Sequence, residues 1–350
     1  RGAEGPRTLS DAPLRHGSAF GAYQALDEAS RGATRGVISR KAVASEQVRW
    51  LPPLDSTLRT PHEPQEGRQV MPCFPLGSYL PNTNEGLNIF EPRYRKMYSD
   101  ILMSGGRRFV VVPVAQTEDG GIRLAEFGVV FYLDDLQEVS EQTNDRVKYI
   151  CKHSLIGRMK LLRVLNPVAF LDASTYLRVE VEEMVDTDED QTWSEDEQGL
   201  MDSVTKAVGL LGRSEPGLRI TDQALEGRNA SRGAGFWGLA ELWQEILSAK
   251  VQACEQSYNA ELREIVVPYL KDNGPRSLEE IPAELQQEID RLGRTWREKM
   301  VPLAEARDKR SQLLVQAESH IDRLKIMRGF VDSDRKEAEA RIALKDVFRK

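Results

Sequence analysis

The chain has 350 residues, 40% hydrophobic and 29% charged, with a formal net charge of −7. That length holds two ordinary domains, and the acidic balance argues against a dedicated nucleic-acid binder, which ordinarily carries a basic excess. Cys73, Cys151 and Cys254 stand far apart, as do His16, His62, His153 and His320. Neither a disulfide framework nor a clustered metal site is expected, and no cofactor is implied. No run approaches the ~20 apolar residues that span a bilayer. Any membrane contact is expected to be peripheral, through a partner.

From Arg1 to Arg49 eight basic residues meet five acidic ones amid much Ala, Ser and Gly. Residues 1–70 are therefore expected to be a flexible extension, with a short helix near Gly21–Ser30. The composition fits the rear of an organelle transit segment or a leader with no targeting role. A plastid is the compartment expected, with mitochondrion and cytoplasm as alternatives.

Residues 71–185 follow the period of strands. Met71–Leu76, Arg107–Val114 and Gly128–Leu133 are apolar runs, and Arg146–Lys152 alternates with Val147, Tyr149 and Cys151 on one side. Leu155–Leu165 is a longer strand in which Gly157 predicts a bulge or bend. Ser174–Val185 alternates Leu177, Val179 and Val181 against Arg178, Glu180 and Glu182. Short strands with one apolar side predict a curled sheet or small barrel. One helix interrupts them: Pro92 suits a first helical turn, and Tyr94, Met97, Tyr98, Ile101 and Leu102 recur at helical spacing up to Gly105-Gly106.

Residues 194–350 read as a second, helical domain. Asp186, Asp188, Glu189 and Asp190 form an acidic linker, expected to be solvated rather than ion-binding. Ser194-x-x-Glu197 predicts a capping box, followed by Leu200, Val204, Val208 and Leu211. After a Gly-rich loop over 212–235, a stripe from Phe236 through Trp243, Val251, Tyr258 and Ile265 predicts a long helix ended by Pro268. A further helix runs through Leu285, Ile289, Leu292 and Trp296. It kinks at Pro302 and continues through Leu314, Ile321, Leu324 and Val331. The narrow apolar faces suit an antiparallel bundle or coiled hairpin.

Met71-Pro-Cys-Phe-Pro-Leu-Gly-Ser, then Leu80-Pro81 and Ile89-Phe90-Glu91-Pro92-Arg93-Tyr94, resemble the opening of the Lon protease N-terminal, substrate-binding domain family. Leu155-Ile156-Gly157-Arg158 and Tyr176–Glu182 resemble two of its later strands. The polar Asn82-Thr83-Asn84-Glu85-Gly86, expected as a loop, departs from the family's apolar pattern. The resemblance implies an α+β fold in which a PUA-like pseudo-barrel precedes a helical bundle with long helices. It also implies recognition of polypeptide substrates. No GxxxxGK[ST] loop and no Ser–Lys protease segment occur in the chain, so the relative's ATPase and protease chemistry is not expected.

Two functions follow: a non-enzymatic module that binds a polypeptide or docks onto a larger organelle assembly, or an RNA-binding protein. Phe90, Glu91, Pro92, Arg93 and Tyr94 are read as structural, since helix starts and core aromatics suffice to explain them. Arg146, Lys148, Lys152, Arg158 and Lys160 all occupy even positions, so adjacent strands could pool them on one basic face. Thirteen basic against fifteen acidic residues in 71–185 favour an ordinary solvated face instead. Trp243 and Trp296 are expected in the core. Trp237, between Gly235 and Gly238, is the candidate exposed anchor for a partner. His153 and Ser154 cannot act together, because neighbours on a strand point to opposite faces. No catalytic constellation is found.

Overall fold

The computed structural model describes residues 48–54, 61–214, 222–273 and 282–348. The Gly21–Ser30 helix lies outside the described residues. In chain order the elements are β1 (Gln69–Pro75), β2 (Asn84–Ile89), α1 (Pro92–Met103), β3 (Arg108–Val112), β4 (Val114–Gln116), β5 (Ile122–Leu124), β6 (Phe127–Glu138) and β7 (Tyr149–Val164). There follow α2 (Val168–Asp172), β8 (Leu177–Glu183), α3 (Ser194–Ser214), α4 (Ala234–Asn273), α5 (Ala283–Val315) and α6 (His320–Phe348). No helix among the described residues is long and apolar enough to cross a membrane.

The architecture is α+β. The main sheet runs β2-β7-β6-β3-β1-β8, and β8 pairs again with β7, closing β1, β3, β6, β7 and β8 into a ring. All pairings in this sheet are antiparallel except the parallel β1–β3. Inside the ring lie Met71, Cys73, Val110, Val112, Val130, Leu161, Val179 and Val181. Gly128 makes the β3–β6 approach possible: a Cβ there would lie 2.5 Å from Val112 Cγ1 and 2.6 Å from the Val111 carbonyl oxygen.

β7 is one 16-residue strand, not two as its pattern suggests. Its first half carries β2 and its second half β8, so β2, β7 and β6 extend beyond the ring as a three-stranded tongue. Part of the expected loop at Asn82–Gly86 is therefore strand. Pairing with β7, rather than intrinsic preference, fixes that polar segment as extended.

The outer face of the sheet and the helices share one core. Ile89, Tyr98, Phe109, Phe131, Leu200, Phe236, Trp243 and Met327 belong to it. Residues 47–350 form one compact unit. The expected single helix through Pro302 to Val331 is instead α5 and α6. They part at Gln316–Ser319, where Ser319 caps α6: its Oγ accepts from the Asp322 N–H at 3.1 Å and donates to Asp322 Oδ2 at 2.6 Å. Pro268 lies inside α4 rather than at its end. It and Glu264 are both exposed, so the carbonyl deprived of its donor stays solvated. Glu197 does not complete a capping box either: its N–H bonds the Trp193 carbonyl, and its carboxylate meets His320.

The expected flexible extension is corrected where it is described. Leu51 and Leu54 donate main-chain bonds to Leu124 and Ile122 on β5, at 2.9 and 2.7 Å. Arg49 reaches Glu126 and Glu318 at 2.9 and 2.6 Å. This strap ties β5 to the α5–α6 elbow.

Candidate functional site

The signature segment builds the start of α1. Glu91 occupies the N-cap in an extended conformation and Pro92 follows it. Tyr94 is buried and stacks on Phe74 at 3.8 Å, while the Arg93 guanidinium lies over the Tyr94 ring and pairs with Glu91 at 2.8 Å. Phe90 offers its carbonyl to Arg95 Nε at 2.8 Å. These contacts fix where the helix begins and hold it to the sheet. Deeper along α1, the Tyr98 hydroxyl meets His153 Nε2 at 2.8 Å, and His153 Nδ1 faces the Glu85 carbonyl at 3.2 Å. Burial lowers the His153 pKa to about 4, so the ring is neutral in its pocket of Phe109, Phe131 and Tyr98.

The even-numbered basic residues do not share a face. The β6–β7 register runs Phe131↔Leu155 but Val130↔Gly157, which leaves Ile156 as the extra residue of a bulge. Residues directly opposite each other in a pair stand on the same face. Before the bulge, odd residues of β7 face the shared core; after it, even ones do. Lys152 consequently stays in solvent, whereas Arg158, opposite Val129, is only 8% exposed. Lys148 pairs with Glu138 and Lys160 with Glu126, at 3.1 and 3.4 Å. Arg146 is exposed. The basic platform, the less favoured of the two readings, does not form: the bulge turns Arg158 inward, while Arg146 and Lys152 stay on a solvated face.

Arg158 instead belongs to a buried ionic joint between ring and helices. It donates to Asp186 at 2.6 Å and to the Val315 and Ala317 carbonyls at 3.0 and 2.7 Å, capping the C-terminal end of α5. Arg323 and Arg232 reach Asp186 from the helical side, at 2.5 and 2.8 Å. Asp188 caps α6 by accepting from the His320 and Ile321 N–H groups at 2.9 and 3.0 Å, and also accepts from Trp193 Nε1 and Arg232. Burial opposes the Asp188 charge, yet these donors hold its pKa well below the usual carboxylate range. Asp186 and Asp188 of the acidic linker are therefore internal connectors, while Glu189 and Asp190 are exposed as expected.

Trp237 is corrected in the same place: it is 4% exposed, under the guanidinium groups of Arg158 and Arg323. It anchors the joint rather than a partner. Trp243 is buried, whereas Trp296 is half-buried and packs on Tyr258 at 4.9 Å, where α4 and α5 run on as a two-helix arm. Among the described residues, no group of His, Cys, Asp or Glu is placed to hold a metal ion.

β2, on the tongue, lies at the end of the main sheet. Leu155 N–H donates to the Thr83 carbonyl, so odd positions from Thr83 onward bond towards β7. By antiparallel alternation, the N–H and C=O groups of Asn84, Gly86 and Asn88 point to the other edge. Gly86 N–H agrees: it donates to Glu85 Oε1 at 3.2 Å. Asn84, Gly86 and Asn88 are exposed, and across the open face beside them stand Lys152, Ile150, Asp135 and Gln137.

No family model and no curated protein matches the chain. Among solved structures, it is similar to a Lon N-terminal domain protein from Xanthomonas campestris. That match has 21% identity, covers 45% of this chain and 86% of the other, and has a TM-score of 0.30. It is also similar to the N-terminal domain of Mycobacterium avium complex Lon protease, at 12% identity, 75% and 98% coverage and a TM-score of 0.31. Both are Lon N-terminal domains. That is the family which Ile89–Tyr94 and Tyr176–Glu182 resemble.

Proposed function

We propose that this chain is a non-enzymatic polypeptide-binding module, of the substrate-recognising kind that the Lon N-terminal resemblance implies. One observation carries the reading: the ring of strands is filled by its own side chains. Val110, Val112, Val130, Leu161, Val179 and Val181 are all buried there. A ligand is thus offered the outside of the ring rather than a cavity within it, and extended outer surfaces suit macromolecules better than small molecules. In the same reading the α4–α5 arm is the element that docks onto a larger organelle assembly. An RNA partner is less well supported, because Arg158 is buried and Lys148 and Lys160 are engaged with carboxylates.

Fluorescence anisotropy with the full chain and labelled, carboxymethylated α-lactalbumin tests the proposal. That probe is permanently unfolded. Saturable binding that the native, disulfide-intact probe does not share is the expected result. Failure to bind the unfolded probe sinks the reading.

A further inference from the structure

We infer that the edge of β5 is the seat for an extended polypeptide, and that residues 48–54 of the chain itself are its resident occupant, which a client segment displaces. The inference rests on the polypeptide-binding reading and names the site, the self-ligand and the class of segment that competes with it.

The strap lies on β5 as an added antiparallel strand. Trp50 bridges Ala125, the Leu51 and Leu54 N–H groups donate to the Leu124 and Ile122 carbonyls, and the Glu126 N–H donates to the Arg49 carbonyl at 2.9 Å. Side chains read the segment as closely as the main chain does. Arg49 stands over the Phe127 ring with its guanidinium on Glu126 and Glu318. Leu51 and Leu54 pack against the core of the ring, and the Arg123 guanidinium lies 5.2 Å from the centre of the Trp50 ring. In strand addition of this kind, main-chain bonds give affinity and side-chain contacts give specificity.

The fit is that of an exchangeable occupant. Pro52 and Pro53 have no N–H to give and are exposed, and from Leu51 to Leu54 three steps of the strap span only two of β5. Trp50, Leu51 and Leu54 are half-buried. The Arg49 ion pairs are partly exposed, where such pairs contribute little. Above all, Trp50 Nε1 and Arg123 Nε are buried with no hydrogen-bond partner among the described residues. A buried donor left unmatched is destabilising, and a better-matched segment recovers that loss. β5 is meanwhile paired with β4 on its other side through three residue pairs, so its edge persists when the occupant leaves.

The same contacts define the client. It is extended, with a cationic residue followed by apolar ones two and five positions later, as in Arg49, Leu51 and Leu54. Lys160 shares Glu126, so among the described ion pairs Glu318 answers Arg49 alone. A hydrogen-bond acceptor in place of the indole pairs Arg123 Nε. A phosphate backbone meets the two carboxylates with like charge and leaves the leucine seats empty.

Leu51→Ser combined with Leu54→Ser loosens the strap and leaves β5 intact. Anisotropy with carboxymethylated α-lactalbumin is expected to show affinity raised about tenfold or more, since a site blocked about nine-tenths of the time loses that factor in apparent affinity. Excess of an end-blocked peptide of residues 48–54, Val-Arg-Trp-Leu-Pro-Pro-Leu, is expected to reverse the gain, whereas the same residues in scrambled order are not. On the unsubstituted chain, hydrogen exchange is expected to show the Leu51 and Leu54 amides losing protection when the probe binds, while the Ala125 amide keeps it. Should the double variant fail to fold, Arg49→Ser takes its place with the same readouts. A variant within about twofold of the unsubstituted chain, a gain that the peptide leaves untouched, or strap amides indifferent to the probe overturns the inference and leaves polypeptide binding standing. A gain confined to a dimer, seen by light scattering, assigns the edge to the strap of a second copy and overturns it equally. No binding by the unsubstituted chain overturns both.

Discussion

Arg158 on β7 and Asp186, 28 residues further along the chain, meet at 2.6 Å where the ring joins the helices, both nearly excluded from water. Burial pulls the Arg158 pKa down to about 10, and its neighbour Arg323 adds to that pull while Asp186 opposes it. Arg323 and Arg232 reach the same Asp186 carboxylate. Breaking a buried pair leaves an uncompensated charge, which costs about 3–5 kcal/mol.

Asp186→Asn is accordingly expected to destabilise the fold by about that amount, since Arg158 and Arg323 then lose their carboxylate partner and only Arg232 keeps one, in Asp188. The double variant Arg158→Met, Asp186→Asn is expected to recover part of the loss. Denaturant titration measures both. A single variant within about 0.5 kcal/mol of the parent shows that the joint is solvated and structurally minor.

His153 gives the fold a pH dependence. Its folded pKa is lowered to about 4, by burial first, so between that value and the unfolded value of about 6.5 the unfolded chain binds more protons. Stability is therefore full above about pH 6.5 and falls as pH drops towards 4, by about 3 kcal/mol in all. His320 adds in the same direction: burial lowers its pKa, although Glu197 works against the shift. Denaturation curves across this range check the slope. His153→Gln is expected to flatten most of it, and a flat profile in the parent overturns the assignment.

Gly128→Ala tests the closeness of β3 and β6. The nearest atoms to the new methyl include a backbone carbonyl, which cannot rotate away. Overpacking of this kind costs about 1–3 kcal/mol. A melting temperature equal to the parent's would mean that the strands separate freely at this point.

Much of the fold was legible because period and punctuation survive in the sequence. Leu177, Val179 and Val181 announced β8, and Pro92 announced the first turn of α1. Gly157 marked a bulge, but alternation cannot reveal that the bulge turns Arg158 to the opposite side from Lys152. The ionic joint was hidden for another reason. Asp186 reads as solvated because its partner Arg323 is 137 residues away, and only the tertiary fold brings it close. Trp237 looked exposed between glycines, yet Gly235 lets α4 start tightly against Asn229 and Ser231, and the Trp237 ring lies beneath the guanidinium groups of Arg158 and Arg323. The β2 edge was least legible: Asn84, Gly86 and Asn88 have little strand preference, and only pairing with β7 makes them one.

Asp334 fastens the three long helices together, and its removal has an optical signature. The carboxylate accepts from Trp243 Nε1 on α4 at 2.8 Å and from both terminal nitrogens of Arg310 on α5, at 2.6 and 2.8 Å. It is itself on α6 and buried. Asp334→Leu brings a bulkier apolar side chain and leaves the Arg310 charge and the Trp243 N–H without their acceptor, a loss of about 3 kcal/mol or more. Asp334→Asn retains an acceptor for the indole and is expected to cost less. Because Trp243 loses its hydrogen bond only in the Leu variant, its fluorescence is expected to shift there and to stay close to the parent's in the Asn variant. Equal stability and equal spectra for the two would show that α4, α5 and α6 are held by apolar packing alone.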